Sequence, residues 1–397
     1  MTRFLYIVDT IYSFLVTIIL LIFDSCVMIV TKKSVKSERI CIIRLDSIGD
    51  FILWLDAAKE FRNLYPNTKI TLIANQTWSN LAALLPYWDE VIPVSRKKLT
   101  RNLAYRFKTL KQIRSLGFET AIQPVFSREY LRGDSLIRAT GALYKIGFAG
   151  DLNNMTFWQK KISDKWHSQL IPATTEPLME LQRNAEFIRG LGFRNFSPHL
   201  PEIPKLFDLP PQLKMNGPYF VIAPGASQAG RRWPTERFSE ILKRVANLTR
   251  FTPVVCGTRE ESDLCNDLIV KADVASVNLA GLTTLPELVE VIRHAEILIS
   301  NESSFVHIAA AVRTPAVCIL GGGHFERFIP YEVETGDNIA PILVYQRMDC
   351  FNCNWKCTQP QDKGKAMPCI LSITADEVME AVEQAIKKTD AANHPGR

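Results

Sequence analysis

The chain has 397 residues, of which 47% are hydrophobic and 22% charged, with a formal net charge of +6. That length exceeds one small core and predicts two domains with additions, while the ordinary composition excludes a disordered or fibrous chain. Lys and Arg form no long runs, so no nucleic-acid partner is expected; a basic surface facing anionic lipid or a phosphorylated acceptor fits the charge at least as well.

Residues Phe4 to Val30 are almost wholly apolar, broken by Asp9 and Asp24, and Lys32, Lys33, Lys36 and Arg39 follow. A bilayer needs about 20 apolar residues, so this stretch is long enough to span one. Only Arg3 precedes it and no small-residue cleavage site is evident, which argues against a cleaved signal peptide. The basic flank predicts a body on the cytoplasmic side of the membrane. The two carboxylates are costly inside lipid, so the helix either spans or lies in the interface.

From residue 39 onward, strand-like and helix-like runs alternate. Arg39 to Leu45 reads as strand, Asp50 to Tyr65 as helix, Lys69 to Ala74 as strand and Thr77 to Leu85 as helix. Glu90 to Val94 is a strand, Asn102 to Leu116 a basic amphipathic helix, and Glu119 to Pro124 a strand. Residues 161–216 hold a helix-like Pro177 to Gly190 and then Pro198, Pro201, Pro204, Pro210 and Pro211, which reads as a linker.

A second series follows. Pro218 to Ala223 is a strand, Thr235 to Leu248 a helix, Thr252 to Cys256 a strand, and Glu260 to Ala272 and Leu285 to His294 helices. Ile297 to Ser300 and Ala316 to Leu320 are strands, and Thr374 with Glu377 forms a capping box that starts a helix of about a dozen residues. The alternation predicts an α/β chain of two doubly wound, Rossmann-like domains, at 39–160 and 217–345. An N-terminal membrane-associated segment, 1–38, precedes them, and a Cys-rich segment with a C-terminal helix, 346–397, follows. Open parallel sheets bind ligands beyond the carboxyl ends of their strands, so the site is expected in a cleft lined by strand-to-helix turns.

Of nine cysteines, Cys350, Cys353, Cys357 and Cys369 fall within twenty residues. A cytoplasmic body disfavours disulfides, leaving a reduced cluster or a tetrahedral thiolate site for zinc, although the spacing is not one of the common zinc patterns. The remaining five read as core or incidental thiols.

Three turns carry candidate chemistry. In Arg44-Leu45-Asp46-Ser47-Ile48-Gly49-Asp50 a strand ends, Gly49 relaxes the backbone and Asp50 enters a helix, whose dipole suits a base that must be charged before it acts. The plainer alternative is a helix cap. In Pro224-Gly225-Ala226-Ser227 and the following Gly230-Arg231-Arg232-Trp233-Pro234, Gly225 allows a close backbone approach, Ser227 can donate to a phosphate, and Arg231 or Arg232 can neutralise a diphosphate. In Asn301-Glu302-Ser303-Ser304-Phe305-Val306-His307, Ser303 or Ser304 can cap a helix whose N-terminus attracts anions. There Glu302 can accept from sugar hydroxyls and His307 can donate to a phosphate or to the cap. Taken singly, that stretch is equally an ordinary capped helix with a core histidine.

Together, in this order and spacing, the three turns resemble glycosyltransferase family 9, whose best-known members are bacterial lipopolysaccharide heptosyltransferases; the likeness runs over roughly residues 39 to 388, and Leu279 to Leu285 also fits. The resemblance implies a GT-B fold with acceptor bound mainly by the first domain, where Arg44 and Asp46 stand, and nucleotide sugar by the second. It implies an inverting, metal-independent transfer to a membrane glycolipid or glycan, as in lipopolysaccharide core assembly in a bacterium. Asp50 matches the family base, Arg231 the residue on the donor phosphates and Ser227 the donor turn. Glu302 matches the acidic residue near the sugar, and Ser303, Ser304 and His307 match the turn beneath the diphosphate. Many members have Asp and Gly at the positions of Glu302 and Ser304 and Lys at Arg231, and familiar ones lack the apolar N-terminus. Two rival readings are a GT-B epimerase or hydrolase acting on the nucleotide sugar alone, and a non-catalytic membrane-attached scaffold that binds metal through its cysteines.

Overall fold

The computed structural model describes residues 2–32, 37–333, 340–360, 362 and 364–393. Lys33 and Lys36 of the basic flank lie outside them. The chain divides into two compact units: residues 1–47, 58–176 and 183–196 form the first, and 48–57, 177–182 and 197–397 the second.

The first unit is built on six parallel strands: β1 (Ser37–Arg44), β2 (Lys69–Asn75), β3 (Glu90–Val94), β4 (Phe118–Gln123), β5 (Tyr144–Phe148) and β6 (Gln169–Ile171), in the order β3-β2-β1-β4-β5-β6. β1 is a near-continuous apolar run because both its faces are covered, and Ile40, Cys41, Ile42 and Ile43 are all buried. The sequence signals did not reveal β5 or β6, whose Tyr-Lys-Ile-Gly-Phe and Gln-Leu-Ile are short and partly exposed. The expected helix at Thr77 to Leu85 is a single turn, Ser79–Ala82.

The N-terminal helix, Thr2–Val30, belongs to this unit and is inside out. Its protein-facing stripe is Thr17, Leu20, Asp24 and Val27, all buried; the opposite stripe, Leu15, Ile19, Ile22 and Ile29, is exposed and apolar. Asp24 explains the inversion. Its carboxylate accepts from Arg106 Nε and Nη2, both at 2.6 Å, and from Ser135 Oγ at 2.6 Å. Arg106 Nη1 donates in addition to the carbonyls of Leu99 and Leu131, so the guanidinium is saturated. A fully desolvated, bidentate pair tolerates the loss of both charges better than the loss of one. Arg106→Ala should therefore lower the unfolding free energy by about 3–5 kcal/mol, whereas Asp24→Leu with Arg106→Met should recover most of it. Denaturant unfolding of the parent and the two variants checks this.

The second unit repeats the plan with β7 (Tyr219–Ala223), β8 (Thr252–Val255), β9 (Val277–Asn278), β10 (Leu298–Asn301), β11 (Ala316–Ile319) and β12 (Ile342–Val344), all parallel, in the order β12-β11-β10-β7-β8-β9. Relabelled from its first strand, each sheet has the order 3-2-1-4-5-6 of the dinucleotide-binding fold. The order reverses between β7 and β10, the place where such sheets leave a crevice beyond their strand ends. The capping box at Thr374 and Glu377 is present, with Glu377 N–H donating to Thr374 Oγ1 and Thr374 N–H to Glu377 Oε2, and the helix it opens, Ala375–Asn393, is longer than expected.

Candidate functional site

The two turns that leave β7 and β10 are tied together by Asn301. Its amide donates to the carbonyl of Pro224 at 2.7 Å and accepts from the backbone N–H of Trp233 at 3.1 Å. Buried at the end of β10, Asn301 holds residues 224–233 against residues 301–304. Ser303 caps the helix Ser304–Ala311 by accepting from the Phe305 N–H, and Ser300 and Ser303 hydroxyls share a hydrogen bond. Of the two serines considered as caps, it is Ser303 that does the capping; Ser304 is the first helical residue.

Arg231 reaches across this corner. Its Nη1 donates to Ser227 Oγ at 3.2 Å and its Nη2 to the carbonyl of Glu302 at 3.2 Å. The Glu302 carboxylate lies 3.7 Å from Nη2, an ion pair without a hydrogen bond. Arg231 Nε and Glu302 Oε2 are both buried, and neither has a hydrogen-bond partner. A buried donor and a buried acceptor left without hydrogen bonds each cost on the order of 1–3 kcal/mol, which makes this corner the candidate ligand site. Burial pushes the Glu302 carboxyl up to about 7, opposed by the Arg231 charge. Arg232 is engaged elsewhere, donating to the Ala226 carbonyl and facing Glu261 at 4.0 Å. The absence of a side chain at Gly225 serves the approach of the same Glu261 carboxylate, rather than leaving an open backbone for a ligand.

Asp50 lies in the first turn of the helix Ile48–Leu64, and its stretch, residues 48–57, clusters with the second unit. Gly49 has no unusual backbone angle; it is small because the His307 ring edge lies against it, where a Cβ would come to 3.2 Å from Cδ2. His307 is buried, and its Nδ1 is 2.9 Å from the Tyr331 hydroxyl. Burial drives the His307 pKa down to about 4, with Asp50 pulling the other way, so the imidazole is neutral near pH 7. It is therefore available as a neutral hydrogen-bonding group, not as a cation. Sequence reasoning named Asn301 only as the first residue of its turn and did not name Tyr331, and the polar partner that holds His307 lies 24 residues away in the chain.

Arg44 and Asp46, expected on the acceptor side, form a 2.7 Å ion pair in the first unit. Arg44 is 1% exposed and also donates to the Pro124 carbonyl and Asn184 Oδ1, while the Asp46 carbonyl accepts from Asn75 and Trp78. Arg44 thus orders the turn after β1 from within.

The four-cysteine segment was open to two readings, a reduced cluster or a thiolate site for zinc. Among the described residues no group of three or more His, Cys, Asp or Glu is arranged to hold a metal ion. The thiols share a neighbourhood: burial raises the Cys369 pKa, and electrostatic repulsion from Cys350, Cys353 and Cys357 acts in the same direction. Cys369 lies in the hydrophobic core and Cys357 packs against it.

Known proteins agree with this architecture. A family model described as glycosyltransferase family 9 (heptosyltransferase) matches residues 106–353, well over half of the chain. Lipopolysaccharide core heptosyltransferase OpsX of Haemophilus influenzae is 23% identical over 325 residues, covering 77% of this chain and 84% of that protein. Among solved structures, the family 9 glycosyl transferase of Veillonella parvula superposes with a TM-score of 0.69 at 16% identity, covering 89% of this chain and 99% of the other. Escherichia coli heptosyltransferase WaaC, solved with ADP, gives 0.64 at 15% identity, covering 87% and 99%. The two likenesses establish the fold as that of the GT-B heptosyltransferases. The chain belongs to glycosyltransferase family 9, the heptosyltransferase family, and is a glycosyltransferase.

Proposed function

We propose that the protein moves heptose, or a closely similar sugar, from a nucleoside diphosphate donor to a membrane glycolipid or glycan in lipopolysaccharide core assembly. The observation that carries this reading is the pair of buried atoms Arg231 Nε and Glu302 Oε2, neither with a hydrogen-bond partner, at the β7/β10 switch point. A diphosphate oxygen would satisfy the first and a sugar hydroxyl the second. Asp50 takes the proton of the acceptor hydroxyl as its oxygen attacks the anomeric carbon. The bond from that carbon to the diphosphate oxygen breaks on the opposite face, and its electron pair leaves with the nucleoside diphosphate. One displacement inverts the anomeric centre. Arg231, Ser227 and the Ser303–Ser304 helix end face the charge that develops on the leaving group, and such preorganised donors supply much of the stabilisation in reactions of this kind. With a guanidinium in that position, the transfer is proposed to need no metal. The relative solved with ADP makes ADP-heptose the first donor to try.

The test combines donor, acceptor and chelator. Purified protein, ADP-heptose and a heptose-deficient core glycolipid should yield an acceptor one sugar heavier, with nucleoside diphosphate released only when acceptor is present and with rates unchanged in EDTA. Release without acceptor would favour an epimerase or hydrolase. Loss of activity in EDTA that Mg2+ restores would overturn metal independence.

The proposal extends to location: the helix Thr2–Val30 lies on the cytoplasmic face of the inner membrane, with its Leu15, Ile19, Ile22 and Ile29 stripe in the lipid. Residues Ser13–Val30 are apolar and long enough to cross a bilayer. However, the stripe with Asp24 is engaged by protein, which favours lying in the interface over crossing it. The chain should pellet with membranes, and an N-terminal tag should stay inaccessible to protease added outside spheroplasts. A tag cleaved from the periplasmic side would show that the helix spans.

A further inference from the structure

The Cys-rich segment has a use that its thiols do not explain. Between residues 352 and 355 three non-glycine residues take left-handed backbone: Asn352 at φ 65°, Asn354 at 52° and Trp355 at 58°. Asn adopts this region readily, but for a bulky residue such as Trp it costs on the order of 1–3 kcal/mol and persists only where surrounding contacts impose it.

Those contacts are specific. Gly321, Gly322 and Gly323 follow β11, and a Cβ on any of them would overlap an aromatic ring: Trp355 at Gly321 and Gly323, and Phe351 at Gly322. The backbone N–H groups of Asn352 and Asn354 donate to the carbonyls of Gly322 and Gly323 at 2.7 and 2.9 Å. Trp355 Nε1 donates to His324 Nδ1 at 3.1 Å, and His324 Nε2 is 2.6 Å from Asn354 Oδ1. The indole N–H makes Nδ1 the acceptor, so Nε2 carries the hydrogen and donates to the Asn354 carbonyl oxygen. The segment is thus locked onto the glycine ledge. Its indole then lies against the Arg231 guanidinium, 4.5 Å from carbon to ring centroid.

We propose that residues 349–357 form a positioning clip for the donor-phosphate arginine, acting through the stacking of Trp355 on Arg231. This rests on the reading of Arg231 as the residue that meets the donor diphosphate. Ser227 and the Glu302 carbonyl hold the guanidinium at its edge, Trp355 covers one face, and the Nε–H is left without a partner. Trp355 is a positioning residue that need not touch the sugar or the acceptor.

Four variants test it by steady-state kinetics: Trp355→Leu, which fills the glycine ledge without a π face, Trp355→Phe, Arg231→Ala, and Trp355→Leu combined with Arg231→Ala. A partly desolvated cation–π contact supports an expected rise in donor KM of about 5–30-fold for Trp355→Leu, with kcat changed by less. Trp355→Phe should restore most of the affinity, and the double variant should be no weaker in donor binding than Arg231→Ala alone. Unchanged donor KM in Trp355→Leu, effects that multiply independently in the double variant, or Phe failing as badly as Leu would overturn the clip while leaving the donor site intact. An Arg231→Ala variant with normal donor KM would overturn the donor-site reading, and the clip with it.

Discussion

Asp50→Asn is expected to lower kcat by roughly 10²–10⁴-fold while donor affinity stays within a few-fold of the parent. The substitution keeps the size and the hydrogen-bond acceptor of the side chain and removes its ability to take a proton. Its cost to folding should be small, because a carboxylate in a helix first turn is favoured over a neutral group by only about 0.3–1 kcal/mol. In the same turn Gly49 packs against the His307 ring. Steady-state rates, with nucleoside diphosphate affinity measured separately by calorimetry, decide the matter. Retained transfer would remove Asp50 from the chemistry. Loss of transfer together with donor binding and thermal stability would reduce it to a helix cap.

Arg231→Ala should weaken donor binding and slow the chemical step together, by about 10²–10³-fold in kcat/KM, the usual consequence of removing one preorganised donor from a developing anion. The variant has a second signature. Arg231 is what opposes the burial-driven rise of the Glu302 carboxyl, which stands at about 7. Without the guanidinium the charged carboxylate is less favoured, so any limb of the pH profile governed by Glu302 should move to higher pH. Arg231→Lys should recover part of the rate, since it restores charge without the planar fork. A wild-type rate in Arg231→Ala would place the diphosphate elsewhere.

The parts of this protein legible in its sequence are those that local chemistry dictates. β1, β7 and β10 announced themselves because strands covered on both faces are apolar throughout, and the turns after them because Gly, Pro, Asp and Ser mark where such strands end. Ser303 as a cap and Thr374 with Glu377 as a capping box depend on neighbours three residues away or fewer. What stayed hidden depends on distance along the chain. The edge strands β6 and β9 have three and two residues, too few for a period to show. Tyr331 reaches His307, and Trp355 reaches Arg231, only after the second sheet has assembled. In the Cys-rich segment the cysteine spacing drew attention, whereas the aromatic residues between them, Phe351 and Trp355, which dock the segment, gave no local signal.

The inside-out N-terminal helix also bears on how the protein can be handled. Cutting it away to obtain a soluble enzyme would strip Arg106 and Ser135 of their carboxylate partner and uncover the apolar bed beneath Leu20 and Val27. The truncated enzyme would exchange one aggregating surface for another. Recolouring the lipid-side stripe with Lys and Glu at Leu15, Ile19, Ile22 and Ile29 leaves the inner stripe untouched, and is the more promising route to a freely soluble enzyme with its first unit intact.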